Sequence, residues 1–246
     1  MFPLYNLDKI KFATDGPTFE RAIGLYENKK IKEFKEDFHG YSAIVLGTQP
    51  YRVFVSNKQY DRGVCECYVG QNNTLCKHMV AVAIYAIMKG KPIKQEDKKL
   101  INGPECSNRS GELNKEELNV IKKSITNAMK YIKPYTGPSK TWFANQDSLS
   151  EGCNRLSAIV SDLPVSQQTT KLLINMLLRL DKKLCTGGVD DSNGIVGGFI
   201  EETVIVIEQY IKLDPSCIKA LKMLCSQSTC FGWEESLVRI FNKADY

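Results

Sequence analysis

The feature that most restricts what this chain can fold into is a cluster of metal-type donors. In "GVCECYVGQNNTLCKHMVAVAIYAIMKG", residues 63–90, Cys65, Cys67, Cys76 and His78 fall within fourteen positions. The chain has only two histidines, and one of them closes this cluster. A Zn²⁺ ion takes four soft or borderline ligands in a tetrahedron, and three thiolates with one imidazole make such a set. Cys-x-Cys suits a turn or an irregular strand end, where both sulfurs can point to one side. Cys76 and His78 cannot share one face of a regular helix, because two residues subtend about 200° at 3.6 residues per turn. The spacing therefore predicts Cys76 just before a helix and His78 in its first turn, with the positive helix N-terminus helping to hold thiolates. Gly63 and Gly70 permit tight backbone around the first pair. The competing readings are three cysteines serving as small core residues and a redox pair. The latter would usually read Cys-x-x-Cys at a helix start.

Cys-x-Cys, a short gap, then Cys-x-His opening an apolar helix resembles the SWIM-type zinc finger. Upstream, "YSAIVLGTQPYRVFVS" (41–56) is similar to the strand pair that precedes the ligands in that family. Downstream, the likeness runs through "CKHMVAVAIYAI", so that it covers about residues 15–90. The resemblance implies zinc binding by Cys65, Cys67, Cys76 and His78, with a proposed role in contacting DNA or other proteins, and no reaction. Four protein ligands leave no open coordination position, so the one zinc ion is expected to be structural.

The surrounding pattern predicts an α+β module. "TDGPTFERAIGLYENKK" (14–30) reads as a helix with Asp15 as cap and Pro17 in its first turn. "IKEFKEDFHG" alternates with period two and reads as a strand. "YSAIVLG" and "YRVFVS" flank "TQP" as an antiparallel hairpin. A helix from about Cys76 to Lys89 follows, stopped by Gly90. Its residues Met79–Met88 have no polar face, so it must be covered on more than one side. A helix buried in that way cannot read base edges, which needs exposed polar side chains. If this module touches nucleic acid, the loop 57–75 or the basic residues Lys29, Lys30, Lys32 and Lys35 must do it. The alternative is that these lysines form a solvated face among Glu27, Glu33, Glu36 and Asp37.

Charge supports the same division. Of the formal net charge of +5, all of it falls in residues 1–100, and residues 101–246 are neutral. Apolar residues at 43% and charged residues at 25% are ordinary globular composition. The longest apolar run is too short to span a bilayer, which needs roughly 18 residues. "MFPLYNLDKIKF" does not read as a secretory signal. Nine cysteines without such a signal suggest reduced thiols or metal ligands and a cytoplasmic setting, with nucleoid or nucleus as alternatives.

Residues 1–100 are thus expected to form the zinc module and 101–113 a linker. Residues 114–246 are expected to form an all-α domain, with helices near 148–161, 165–185, 196–213, 215–226 and 233–243. Leu118, Ile121, Ile125, Met129 and Ile132 form an apolar stripe ahead of them. "YIKPYTGPSKTWF" (131–143) sets Tyr131, Tyr135, Trp142 and Phe143 beside Lys130, Lys133 and Lys140. Such a mixture can grip a single strand or can be an inter-helix loop whose aromatics dock inward. In "TGGVDDSNGIVGG" the calcium-loop register fails, and the stretch reads as a turn whose Asp190 and Asp191 could meet a partner. The six remaining cysteines, Cys106, Cys153, Cys185, Cys217, Cys225 and Cys230, show no paired close spacing and read as unpaired thiols. A second metal site among Cys217, Cys225 and Cys230 is the alternative. His39 stands alone without a nucleophile motif, so no enzyme is expected. The expectation is a non-enzymatic interaction protein with a protein partner. Direct nucleic-acid binding through the basic half is the alternative, and neither membrane nor small-molecule substrate is expected.

Overall fold

The computed structural model describes residues 2–100 and 102–244, except for the Lys140 side chain. It divides into two compact units, Met1–Leu100 and Ile101–Tyr246.

The first unit opens with two helices set by their caps. Asn6 accepts from the Lys9 N–H at the start of α1 (Leu7–Ala13), an element too short to stand out in the sequence. Asp15 accepts from the Thr18 N–H at the start of α2 (Gly16–Glu27), with Pro17 in the first turn as expected. Four strands follow: β1 (Ile31–Glu36), β2 (Gly40–Leu46), β3 (Pro50–Ser56) and β4 (Gly63–Cys65). They form one antiparallel sheet in sequence order, β1-β2-β3-β4. Strand alternation buries Tyr41, Ala43, Val45, Val53 and Val55 on one face. The other face carries Ser42, Ile44, Arg52 and Phe54. Edge strand β1 carries a register shift between Lys32 and Lys35, with Glu33 at φ 49°, which breaks up a free edge.

A short helix, α3 (Tyr68–Gln71), leads to α4 (Lys77–Met88). Every residue from His78 to Ile84 is buried. The helix packs on the sheet and on α2, so its lack of a polar face is met by cover from two sides. It ends at Met88 and is capped by Lys89, in the left-handed region at φ 51°, one residue before the Gly90 expected as its stop. A final turn, α5 (Gln95–Lys98), completes the unit.

The second unit is helical: α6 (Lys115–Ala128), α7 (Trp142–Asp162), α8 (Gln167–Cys185), α9 (Ile195–Leu213) and α10 (Glu235–Ala244). A 3₁₀ segment, Pro215–Leu224, stands where an α-helix over 215–226 was expected. Asn114 and Glu117 make a reciprocal capping box on α6. Ile125, Met129 and Ile132 from the expected stripe are buried, and Leu118 and Ile121 pack partly buried against the same core. Helix α7 starts at Trp142, earlier than expected, because "WFANQDS" has no clear apolar period.

Residues expected to be linker are laid along the α7–α8 corner of this unit. The Glu105 N–H donates to Ser161 Oγ, Ser107 Oγ donates to the Leu163 carbonyl, and Arg109 reaches the Asp162 carbonyl and carboxylate. The Val165 N–H donates to the Arg109 carbonyl at 2.6 Å. Gly, Pro and Ser composition resembles a free connector, but here the backbone groups find partners. Among the described residues no helix is long and apolar enough to cross a membrane.

Candidate metal centre

Three elements bring the four donors together. Cys65 ends β4, Cys67 caps α3, and Cys76 caps α4 with extended backbone at φ −123° and ψ 160°. His78 is then the second residue of α4, as the two-residue spacing required. All four are buried, and their ligand atoms lie within 4.8 Å of one another. His78 Nδ1 sits 3.7 Å from Cys65 Sγ and 3.9 Å from Cys76 Sγ. Zinc bonds of about 2.3 Å to sulfur and about 2.0 Å to nitrogen, set tetrahedrally, separate S and N by roughly 3.5 Å. The donor set and its spacing therefore fit zinc, with Nδ1 as the ligating nitrogen.

The backbone around the sulfurs is equally specific. The Cys67 N–H points at Cys65 Sγ and the Gly70 N–H at Cys67 Sγ, at 3.5 and 3.4 Å. Such donors favour thiolate over thiol. A Cβ on Gly70 would meet Cys65 Cβ and its carbonyl oxygen at 2.6 Å. One on Gly63 would meet the Phe54 carbonyl oxygen at 2.1 Å. Both glycines are needed for close approach, as the sequence suggested. The hydrogen bond between Cys65 and Cys76 holds Cys76 well below the usual thiol range and pushes Cys65 up.

Two members of this site gave no sequence signal. The Tyr51 ring packs against the His78 ring with centroids 4.7 Å apart. His78 Nε2 is buried without a hydrogen-bond partner and faces Gly47, where a Cβ would come within 2.9 Å of it. Gly47 therefore leaves the room that the imidazole occupies.

The other sequence candidates are dispersed. Lys29, Lys30, Lys32 and Lys35 are exposed on the α2–β1 turn and on β1. Three of the four acids around them have other partners. Glu27 pairs with Lys98, Glu36 with Lys89, and Asp37 accepts from the His39 and Gly40 N–H groups. Lys133 is exposed in the second unit, and the side chain of Lys140 lies outside the described residues. Trp142 donates its indole N–H to Asp190 Oδ2 at 3.0 Å, and the Arg155 guanidinium lies over the Tyr131 ring at 4.8 Å. Of that aromatic group, Phe143 is the one left largely exposed. Asp191 caps α9 through the Val196 and Gly197 N–H groups, both at 2.8 Å.

The reading of the six other cysteines as unpaired thiols needs correction. Cys185 and Cys230 lie side by side across 45 residues of sequence, with Cα atoms 5.8 Å apart, a pairing that local spacing could not reveal. With Asp181 they form a second donor group, and it differs from the Cys217, Cys225 and Cys230 set considered from the sequence.

A closed, buried set of three sulfurs and one nitrogen between a strand end and a helix start defines a structural-zinc module. Residues 51–87 match the SWIM zinc finger family model, and the Cys₃His cluster of this finger fits one structural zinc ion. The match is narrower than the span suggested by the sequence, beginning inside β3 and ending in α4. No curated protein and no solved structure matches the chain.

Proposed function

We propose that the chain is a non-enzymatic interaction protein, in which zinc fixes the shape of the first unit and the open face of the sheet meets a protein partner. One observation carries this reading. The donors close the metal's coordination, which leaves it no position for a substrate, while the sheet face away from α4 holds a groove of about 580 Å³. Its lining includes Ile44, Phe54 and Val64, with Lys35, Arg52 and Glu66 beside them. Val64 is 61% exposed although it is an apolar strand residue. An apolar floor with charges of both signs suits a protein segment that presents apolar side chains between charged ones.

A second reading, nucleic-acid binding, has its own support. Strand register sets Lys32 opposite Ile44 and Ile44 opposite Arg52, and sets Lys35 opposite Ser42 and Ser42 opposite Phe54. Three cations therefore share a face with an aromatic ring, a combination that can hold phosphates and stack bases.

The test is capture of partners by zinc-loaded full-length chain, with and without nuclease, followed by a salt titration. A protein partner gives nuclease-resistant capture with shallow salt dependence. Loss on nuclease treatment, with log-linear weakening in salt, supports the second reading. Lys35→Ala combined with Phe54→Ala should reduce capture and leave zinc content unchanged. Capture unaffected by this pair would remove the sheet face from both readings.

A further inference from the structure

The second unit holds a thiol pair remote in sequence from the zinc ligands. Cys185 ends α8 and Cys230 lies in the stretch between the 3₁₀ segment and α10, with Cα atoms 5.8 Å apart. That separation is within the roughly 4.4–6.8 Å that bridges span. Cys185 is exposed, whereas Cys65, Cys67, Cys76, Cys153 and Cys217 are all buried. One helical turn before Cys185, the buried carboxylate of Asp181 faces the pair. Its Oδ1 accepts from the Cys230 N–H at 2.9 Å and from Trp233 Nε1 at 3.1 Å. Its Oδ2 lies 3.5 Å from Cys185 Sγ. Neither of these hydrogen bonds to Oδ1 involves a sulfur atom.

We propose that Cys185 and Cys230 form a reversible thiol–disulfide exchange site for a low-molecular-weight disulfide such as glutathione disulfide, and that their bond clasps residues 225–234 to the end of α8. In the forward direction the exposed Cys185 thiolate attacks one sulfur of glutathione disulfide. A mixed disulfide forms and one glutathione thiolate leaves. The Cys230 thiolate then attacks the Cys185 sulfur, the internal bond forms and the second glutathione leaves. Two protein thiols are oxidised, glutathione disulfide is reduced to two thiols, and the two protons pass to the departing thiolates. Asp181 acts as a positioning residue, since it sets where Cys230 sits. Cys225, which is exposed and unpaired, provides an internal comparison.

The experiment equilibrates zinc-loaded full-length chain in glutathione buffers of graded ratio, quenches with acid, alkylates the free thiols and maps the peptides by mass. Cys185 and Cys230 should lose alkylation together as the ratio turns oxidising, yield one cross-linked peptide lighter by two hydrogens, and recover on reduction. Cys225 should gain only a glutathione adduct, and zinc should stay at one equivalent. Chymotryptic cleavage after the exposed Phe231 should be faster in the reduced form. Cys185→Ser should leave Cys230 without its internal bond. Independent alkylation of the two thiols, a bond that persists at every ratio, or equal cleavage rates would overturn the proposal. So would protection without loss of hydrogens alongside a second metal equivalent, which would make Asp181, Cys185 and Cys230 a metal site.

Discussion

Gly47 shows how a residue far from any ligand motif can control the metal. Its missing side chain is the space that His78 Nε2 and the Tyr51 ring fill. Gly47→Ala should press on both and tilt the imidazole away from the sulfurs. We expect metal affinity to fall about tenfold, the lower end of what support of a ligand contributes. Competition with a chromogenic chelator measures this. Gly24→Ala, where a Cβ meets nothing within 4 Å, should leave affinity unchanged. At the ligands themselves the effect is larger. Structural zinc contributes on the order of 10 kcal/mol to folding, comparable to a domain's net stability. Cys76→Ser should therefore lose zinc and unfold the first unit, and stoichiometric zinc in a folded variant would contradict this.

Among the elements, α4 and α6 are specified in different ways. Helix α4 has no side-chain hydrogen bond at its N-cap and no polar face, so burial and the metal hold it. Helix α6 is largely solvent-facing and is fixed by its ends, through Asn114 and Glu117. Asn114→Ala should cost about 1 kcal/mol, read by chemical denaturation of the second unit. Much of this was legible in the sequence. The Asp15 cap, the two hairpin strands and the Cys76–His78 placement follow from local pattern, because caps and strand alternation act over a few residues. The early start of α7 did not, since its first turn is tied down by Trp142 and Gln146 reaching Asp190, more than forty residues away. For the same reason Asp190 and Asp191, which resemble surface acids in the sequence, hold the α7 and α9 termini in place.

For the whole molecule, each unit has its own buried cluster, one built on the sheet and α4 and the other on α7, α8 and α9. Only the first contains the Cys₃His set. Chelating the metal should therefore remove structure from residues 31–88 while the second unit keeps its helices. Hydrogen exchange after chelation is expected to show loss of protection in β2, β3 and α4, with α8 and α9 still protected. Equal loss in both units would mean that the second depends on the metal as well.

The sequence by itself determined the zinc ligands, their order along a strand end and a helix start, and the α+β character of the first unit. It could do so because metal donors, caps and alternating strands are local signals. Only the tertiary structure decided that Gly47 makes room for His78, that Lys32, Lys35 and Arg52 share a face with Phe54, and that Cys185 meets Cys230. Each of these depends on residues remote in sequence being packed side by side, and packing is settled by the cooperative burial of whole elements.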